Sequence, residues 1–228
     1  LSKGRGSLHR STDGGATWSH ATIPSVGNQA QFRSLVIESN CPANLWALNY
    51  RDHTINRSVN NGVTWTATGS VGLPAFTDNT QLAVQHASCS GSATVYASVY
   101  TADGLAGTTN YPGLFRSTDN GATFSRPGAA GPSGGCLAQC WYDHFLLVDP
   151  SDAARVYMIG RDLWTSTNSG ATWINRSAGF DDSNNYFGGN MHVDMHDLAI
   201  RGTGATAVIY VASDGGLWHL NGREGGLN

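Results

Sequence analysis

An eight-residue phrase recurs four times along the chain and constrains the fold more than any other feature. Its pattern is Ser-x-Asp/Asn-x-Gly-x-Thr-aromatic, and its copies begin at Ser11, Ser58, Ser117 and Ser166. Asp or Asn in a tight turn hydrogen-bonds to its own backbone, and Gly supplies the positive φ that closes a hairpin. Thr and an aromatic residue favour the start of a strand. Each copy therefore predicts a turn between two antiparallel strands, with the aromatic ring covering the end of its own hairpin.

We assign these turns, called the repeat turns below, a structural role. The residues expected to shape them are the acid or amide at the third position and the aromatic residue at the eighth: Asp13, Trp18, Asn60, Trp65, Asp119, Phe124, Asn168 and Trp173. The turns begin 47, 59 and 49 residues apart. That spacing is the period of a four-stranded propeller blade.

Three further strand patterns recur between the repeat turns. An apolar strand A recurs at 34–38, 81–85, 145–149 and 197–201, a strand B at 44–48, 94–98, 155–159 and 208–212, and a strand C at 8–10, 55–57, 114–116, 163–165 and 217–219. Near-continuous apolar character is typical of a strand buried on both faces. We therefore expect one all-β propeller region over 1–228, with blades at 31–70, 80–128 and 143–178 and partial blades at 1–22 and 194–228.

The strand count predicts a piece of a larger propeller. Propellers usually close by completing one blade with strands from both termini. Both ends of this chain carry a strand C, so such closure would leave one strand C outside the completed blade. Exposed strand edges invite pairing with another chain, and we expect further residues of the same polypeptide or a partner to cover them. A closed four-blade ring is the alternative.

The repeated phrase resembles the Asp-box, or BNR repeat, of sialidase-like β-propellers. A second phrase, His192-x-Asp194-x-His196-Asp197 followed by Asp214-Gly-Gly, is similar to one in secreted BNR proteins related to xyloglucan-cleaving endoglucanases and to the sortilin propeller. The resemblance implies an all-β propeller that binds ligands on the face shared by its B–C and D–A connections.

Polar residues recur just before strand A. Two positions before the shared Leu stand Arg33, Thr80, His144 and His196, and four positions before it stand Gln31, Asp78, Tyr142 and Asp194. Convergent polar groups at a concave mouth are the default site hypothesis. The candidate ligand-binding residues are therefore Arg33, Asp78, Tyr142, His144, His192, Asp194 and His196. We expect these residues to line the mouth of the central channel of the propeller. The alternative is that the channel holds only water and binds no specific ligand.

A metal at His192, Asp194 and His196 is not expected. In an extended strand these residues share a face, but the two histidines lie about 13 Å apart. Ligand bonds near 2 Å cannot span that distance, unless the chain bends sharply near the preceding glycines. No cofactor is predicted either, since the chain contains no phosphate loop or dinucleotide fingerprint.

Catalysis is weakly indicated. The resemblance to sialidases implies an arginine triad and a Tyr–Glu pair, but the chain has only two glutamates and Arg33 alone matches an inward position. Endoglucanases need two facing carboxylates, for which Asp194 and Asp78 are the best pair. We therefore expect a recognition or scaffold module that binds a glycan or a protein, with a glycoside hydrolase acting on a polysaccharide as the alternative.

Composition narrows the partners and the compartment. A formal net charge of −3 and a single lysine argue against nucleic acid, and no apolar run approaches the roughly 20 residues that span a membrane. The four cysteines form no Cys-x-x-Cys pair, and an even count favours an oxidising compartment. We expect a secreted or cell-surface protein, or a periplasmic one, with a Cys136–Cys140 disulfide. Two free buried thiols are the alternative.

Overall fold

The computed structural model describes residues 8–21, 23, 31–75, 79–99, 113–128, 132, 140–177 and 191–222. Within these ranges the chain forms β-strands, and a 3-10 turn at Gly204–Thr206 is the only helical segment. That turn is far too short to cross a membrane. The chain divides into two compact units, the first formed by Leu1–Thr101 with Phe115–Ser125 and the second by Ala102–Leu114 with Arg126–Asn228.

The first unit contains three antiparallel sheets. Their strands are β1 (His9–Arg10), β2 (Ser19–His20), β3 (Phe32–Glu38), β4 (Cys41–Asn49), β5 (Thr54–Ser58), β6 (Thr66–Ala67), β7 (Gln81–Gln85), β8 (Thr94–Val99) and β9 (Gly113–Ser117), the first two residues of β9 belonging to the second unit. The sheets are β1-β2, β3-β4-β5-β6 and β7-β8-β9. Each strand pairs with its neighbour in sequence, as the A–B–C–D blade pattern predicts.

The core of the first unit lies between β4 and β7. Leu82 and Val84 of β7 belong to one buried cluster with Trp46 and Leu48 of β4. The prediction that strand A is buried on both faces is confirmed for β7, in which every residue after Gln81 is buried. It is wrong for β3, where Leu35 is 55% exposed and Ile37 58% exposed. The residues of β3 that meet the next sheet are Ser34, whose Oγ accepts the Leu82 N–H, and Val36, which packs against the buried cluster.

The second unit contains two sheets. Their strands are β10 (Phe145–Asp149), β11 (Asp152–Ile159), β12 (Leu163–Ser166), β13 (Ile174–Asn175), β14 (Met195–Arg201), β15 (Val208–Ser213) and β16 (Gly216–Asn221). The sheet orders are β10-β11-β12-β13 and β14-β15-β16. Tyr157 and Ile159 of β11 share a buried cluster with Leu198 and Ile209 of the next sheet, so strand B of one sheet covers strand A of the next, as in the first unit.

The four repeat turns have equivalent hydrogen bonds. In the last one, Ser166 Oγ accepts a hydrogen bond from the Gly170 N–H at 2.8 Å and donates one to Asn168 Oδ1 at 3.0 Å. Asn168 Oδ1 also accepts the Thr172 N–H at 2.9 Å. The other three turns repeat these bonds. The phrase therefore fixes the turn through side-chain to backbone bonds, which is the structural role predicted for it.

In two of the repeat turns the Trp ring folds back over its own turn, and its indole N–H donates to the carbonyl of the turn's Gly. Trp18 Nε1 donates to the Gly15 carbonyl at 3.0 Å, and Trp65 Nε1 donates to the Gly62 carbonyl at 3.1 Å. These bonds confirm the predicted placement for Trp18 and Trp65, whereas Trp173 Nε1 is buried without a hydrogen-bond partner among the described residues.

A glycine four residues after the aromatic residue allows the next repeat turn to pack closely against the backbone at this point. A Cβ on Gly69 would lie 2.6 Å from the Ala122 carbonyl oxygen, and a Cβ on Gly128 would lie 2.7 Å from that of Ala171. We call this close approach of a glycine to the next repeat turn a glycine joint, and each unit contains one of the two named here. Any side chain here would push the two segments apart, so the close packing requires glycine.

A disulfide between Cys41 and Cys89 ties β4 to the loop after β7, with a Cα–Cα distance of 5.5 Å. The sequence analysis missed this pair because its separation of 48 residues leaves no local pattern. Cys140 is also disulfide-bonded. Its predicted partner Cys136 lies outside the described residues, so the Cys136–Cys140 pairing stays a prediction.

Candidate functional site

Polar side chains from three segments of the second unit meet at one place. His196 Nε2 of β14 lies 2.6 Å from Asp214 Oδ1, just after β15. The hydroxyl of Tyr142, which precedes β10, donates to the same carboxylate oxygen at 3.2 Å. The rings of Tyr142 and His196 meet edge to face, with centroids 4.8 Å apart. Together with Asp143 and Asp194, these residues form what we call the acidic site.

An irregular start of β14 places His196. Asp194 has a left-handed φ of 61°, and the pairing with β15 shifts register between Met195 and Asp197. Bulges of this kind re-aim a side chain and are frequent beside functional sites. The Asp194 N–H donates to the Arg161 carbonyl at 3.3 Å, and the Asp194 carbonyl accepts the Asp214 N–H at 3.1 Å. The segment before β14 is therefore fixed at both sides.

This irregularity corrects one premise of the sequence analysis. His192, Asp194 and His196 do not follow one extended strand, because the left-handed residue and the register shift interrupt it. His192 lies instead against Gly215, where a Cβ would be 2.3 Å from the His192 Cβ. The glycine after Asp214 is thus required for this close contact.

Asp143 is the residue that distinguishes the site. Its side chain is fully buried, and among the described residues neither carboxylate oxygen accepts a hydrogen bond from another residue. Burial, followed by the negative charges of Asp194 and Asp214, raises the pKa of Asp143 to about 7. A buried carboxyl without a partner destabilises a fold, and strongly perturbed acids concentrate at functional sites. Sequence reasoning missed Asp143 because nothing local reveals its burial.

Asp214 has the opposite environment. A hydrogen bond from His196, supported by one from Tyr142, holds the pKa of Asp214 below its usual value. Burial and the contact with Asp214 raise the pKa of the Tyr142 hydroxyl. Near neutral pH the site therefore combines an ionised Asp214 with a partly protonated Asp143.

Negative charge dominates the acidic site. The nearby guanidinium of Arg161 lies 3.7 Å from Asp162 Oδ2 and is shared with that carboxylate. Arg161 lowers the pKa of Asp143 less than burial, Asp194 and Asp214 raise it. The imidazoles of His196 and His192 also favour the ionised form of Asp214 by lowering its pKa.

Two aromatic rings stand beside the acids. Trp141 is 65% exposed and Tyr142 is 48% exposed, and their ring centroids are 5.6 Å apart with the planes tilted by 46°. Large exposed rings next to convergent polar groups are typical of binding sites, because a ring offers apolar area at low entropic cost.

The structure places the predicted ligand-binding residues in different environments. The structure brings Tyr142, Asp194 and His196 into one site and places His192 against its edge. His144 is buried, with 7% of its surface exposed, and Arg33 is exposed on β3 of the first unit. Asp78 lies outside the described residues. The role of Arg33 and the catalytic pairing of Asp194 with Asp78 stay predictions.

One trio among the described residues has donor atoms within 4.8 Å of one another, namely Glu38, Cys41 and His86 in the first unit. Cys41 is committed to the disulfide. Glu38 accepts hydrogen bonds from Asn44 Nδ2 at 2.8 Å and Trp46 Nε1 at 2.6 Å, and its other contact is His86 Nδ1 at 2.6 Å. Its oxygens are thus already occupied, and we assign this cluster a structural role.

Burial alone raises the pKa of Glu38, but the hydrogen bonds from Asn44, Trp46 and His86 outweigh it and hold the pKa below its usual value. The Arg57 guanidinium, 3.4 Å from Glu38 Oε1, acts in the same direction. The cluster is therefore a buried ion network that stabilises the first unit only while Glu38 is ionised.

No family model and no curated protein matches the chain. Solved structures do resemble it. An ancestral GH74 enzyme matches with a TM-score of 0.60 and 15% identity, covering 97% of this chain and 29% of the other. The GH74 enzyme of Niastella koreensis matches with a TM-score of 0.53 and 17% identity, covering 86% and 24%. YCF48 from Cyanidioschyzon merolae matches with a TM-score of 0.51 and 11% identity, covering 86% and 54%.

These likenesses, with the antiparallel A–B–C–D sheets, define the class: the fold is that of a β-propeller. At such identities the likeness is one of fold alone. The chain spans about half the length of the YCF48 chain and about a quarter of the GH74 chains.

Proposed function

We propose that this chain is the recognition region of a secreted or cell-surface propeller protein and that it binds a glycan at the acidic site. The single observation that carries the proposal is the exposed pair Trp141 and Tyr142 beside the carboxylates of Asp143, Asp194 and Asp214. Sugar rings present an apolar C–H face and a rim of hydroxyl donors. The aromatic pair suits the face, and the acceptors suit the rim.

The repeat turns support the recognition role from the structural side. We propose that they are Asp-boxes of the BNR class and that they brace the scaffold without touching the ligand. Their Asp, Asn and Ser side chains are consumed by bonds to their own turns. The disulfides fit an oxidising compartment, which supports secretion.

A glycan array tests the proposal. The wild-type chain is expected to bind a defined set of glycans, and Trp141→Ala is expected to abolish the signal. Trp18→Ala is the matched control, because Trp18 is 64% exposed but belongs to a repeat turn. Equal loss in both variants, or none in Trp141→Ala, would contradict the placement. The array is complemented by a peptide screen, since one matching structure is YCF48 bound to D1 peptide.

The second candidate is a glycoside hydrolase, and one specific observation favours it. Asp143 and Asp214 have pKa values pushed in opposite directions, about 7 for Asp143 and below the usual value for Asp214. A proton-donating acid beside an ionised carboxylate is the arrangement that glycosidases use. Release of reducing sugar from a polysaccharide by the wild-type chain, abolished in Asp143→Asn with binding retained, would establish this candidate over the first.

A further inference from the structure

We propose that His9 and His20 form a binding site for a divalent transition-metal ion, with Cu²⁺ bound most tightly. The two histidines lie on β1 and β2 of the first unit. The site therefore shares no residue with the acidic site and does not depend on glycan binding. It follows from the register of the two strands, the distance between the rings and the exposure of both side chains.

The register of the hairpin places the two imidazoles side by side. His9 pairs directly with His20. The Ala21 N–H donates to the Leu8 carbonyl at 2.8 Å, so Leu8 and Ala21 are a hydrogen-bonded pair, and His9 and His20 are the non-hydrogen-bonded pair next to it. Side chains come closest across pairs of that type. The backbone therefore holds the two rings together.

The distance between the rings is close to that around a shared ion. Their centroids lie 5.6 Å apart, with the planes inclined by 88°. A histidine nitrogen binds zinc at about 2.0–2.1 Å, which puts the ring centroid roughly 3.2 Å from the ion and two centroids at a tetrahedral angle about 5 Å apart. Small side-chain rotations supply the difference. Each ring uses one nitrogen for the ion and keeps the other for a hydrogen bond, as ligating histidines usually do.

The hairpin that carries the pair is braced through its opposite face. Leu8 packs against the buried cluster that contains Trp65, and Arg10 Nε donates to the Asn61 carbonyl at 2.8 Å. Successive side chains of a strand point to opposite faces, so His9 projects away from these contacts. Both histidines are exposed, and the first repeat turn closes the hairpin between them. Ligands held in place in this way lose little freedom when the ion binds.

The histidine pair is a departure from the repeat. The equivalent cross-strand pairs of two other repeat hairpins are Asn56 with Ala67 and Trp164 with Asn175. Those hairpins form without imidazole at either position. The scaffold therefore does not require histidine here, which favours a ligand-binding role for the pair.

The chemistry of imidazole selects the ion. Imidazole nitrogen suits Zn²⁺, Ni²⁺ and Cu²⁺, whereas Mg²⁺ and Ca²⁺ take oxygen ligands. Among the first-row divalent ions the affinity of a given site is highest for Cu²⁺. Two protein ligands leave coordination positions open for water or for a donor from a partner, as in the open sites of catalytic zinc.

Titration calorimetry of the full chain with Cu²⁺, with the amino acid glycine present as a competing ligand, tests the site. We expect one ion per chain. His9→Gln and His20→Gln should each weaken binding at least about tenfold, because the second ligand then no longer adds its effective concentration. His53→Gln removes an exposed histidine of the same unit outside the hairpin and should leave the affinity unchanged. Ni²⁺ and Zn²⁺ should bind more weakly, and Mg²⁺ should not compete.

Electron paramagnetic resonance of bound Cu²⁺ gives a readout that needs no variant. The wild type should show couplings from two imidazoles, and Cu²⁺ at low occupancy should broaden the NMR signals of His9 and His20 before those of other histidines. Broadening that begins elsewhere would refute the site. Affinity retained in both Gln variants would also overturn the inference, and affinity lost instead in His196→Gln would place the ion at the acidic site.

Discussion

Replacement of Asp143 by Asn should stabilise the protein at neutral and higher pH. The folded state raises the pKa of Asp143 from 3.8 to about 7, so the folded protein holds this proton where the unfolded chain has released it. Stability is therefore lost as the pH rises from about 4 to about 7, and no further loss follows above that range. The direction is opposite to that of an acid that forms a salt bridge.

The magnitude follows from the two pKa values. A tenfold change in proton affinity corresponds to about 1.4 kcal/mol, so the difference between 3.8 and about 7 corresponds to roughly 4 kcal/mol at most. The Asn side chain has the same shape and cannot ionise. We expect Asp143→Asn to gain about 2–4 kcal/mol over the wild type near pH 8, the lower value allowing for an unpaired buried amide, and to gain nothing near pH 4.

Urea denaturation at pH values from about 4 to 8 measures this difference. The free energy of unfolding of Asp143→Asn minus that of the wild type should rise across that range by the difference given above, because carboxyls such as Glu38 that act in the opposite direction are common to both proteins. Asp197→Asn, which removes an exposed acid nearby, should keep the wild-type dependence. Parallel curves for the wild type and Asp143→Asn would refute the assignment of Asp143 as a buried acid with a raised pKa.

Three further predictions concern the scaffold. Cys89→Ser should lower the free energy of unfolding by about 4 kcal/mol in the chain-entropy model for a 48-residue separation; Cys41→Ser should show the same loss in urea denaturation, and an unchanged midpoint in both variants would contradict it. Gly128→Ala should cost about 1–3 kcal/mol, because its Cβ would lie 2.7 Å from a carbonyl oxygen. Gly91→Ala is the control, because its Cβ would meet nothing closer than 3.7 Å, and it should change the thermal midpoint little. Equal effects of Gly128→Ala and Gly91→Ala would show that the close packing at Gly128 does not require glycine. Glu38, whose folded pKa is lowered, contributes stability that is present above about pH 4.5 and lost as the pH falls through the folded pKa. Glu38→Gln should therefore destabilise the protein near neutral pH and flatten its acid unfolding curve, which circular dichroism would follow.

The repeat turns and strands were predictable from sequence because their physics is local. A Ser, an Asp or Asn and a Gly within five residues are sufficient to close each turn, as the bonds of Ser166, Asn168 and Gly170 show. Strand bounds such as Gln81–Gln85 and Phe145–Asp149 agree with the apolar runs that predicted them. Exposure of Leu35 and Ile37 was not predictable, because it depends on which segment packs beside β3.

The acidic site was only partly predictable. Alignment of the repeats pointed to Tyr142, Asp194 and His196, since equivalent positions in a repeat protein occupy equivalent places. The role of Asp214 as the hydrogen-bond partner of His196 depends on pairing across β14 and β15. Asp143 depends on burial, and the Cys41–Cys89 bridge depends on contact between sheets. These long-range contacts leave no trace in local sequence patterns.

The location of the ligand is tested most directly by the indole N–H signals of the seven tryptophans in a heteronuclear NMR titration with an array-selected glycan. We expect the Trp141 signal to shift in a saturable way, with the same dissociation constant as titration calorimetry with that glycan. The Trp18 signal, whose N–H is held by the Gly15 carbonyl, should stay in place. A saturable shift at Trp18 with Trp141 unmoved would show that the glycan binds elsewhere and would contradict glycan binding at the acidic site.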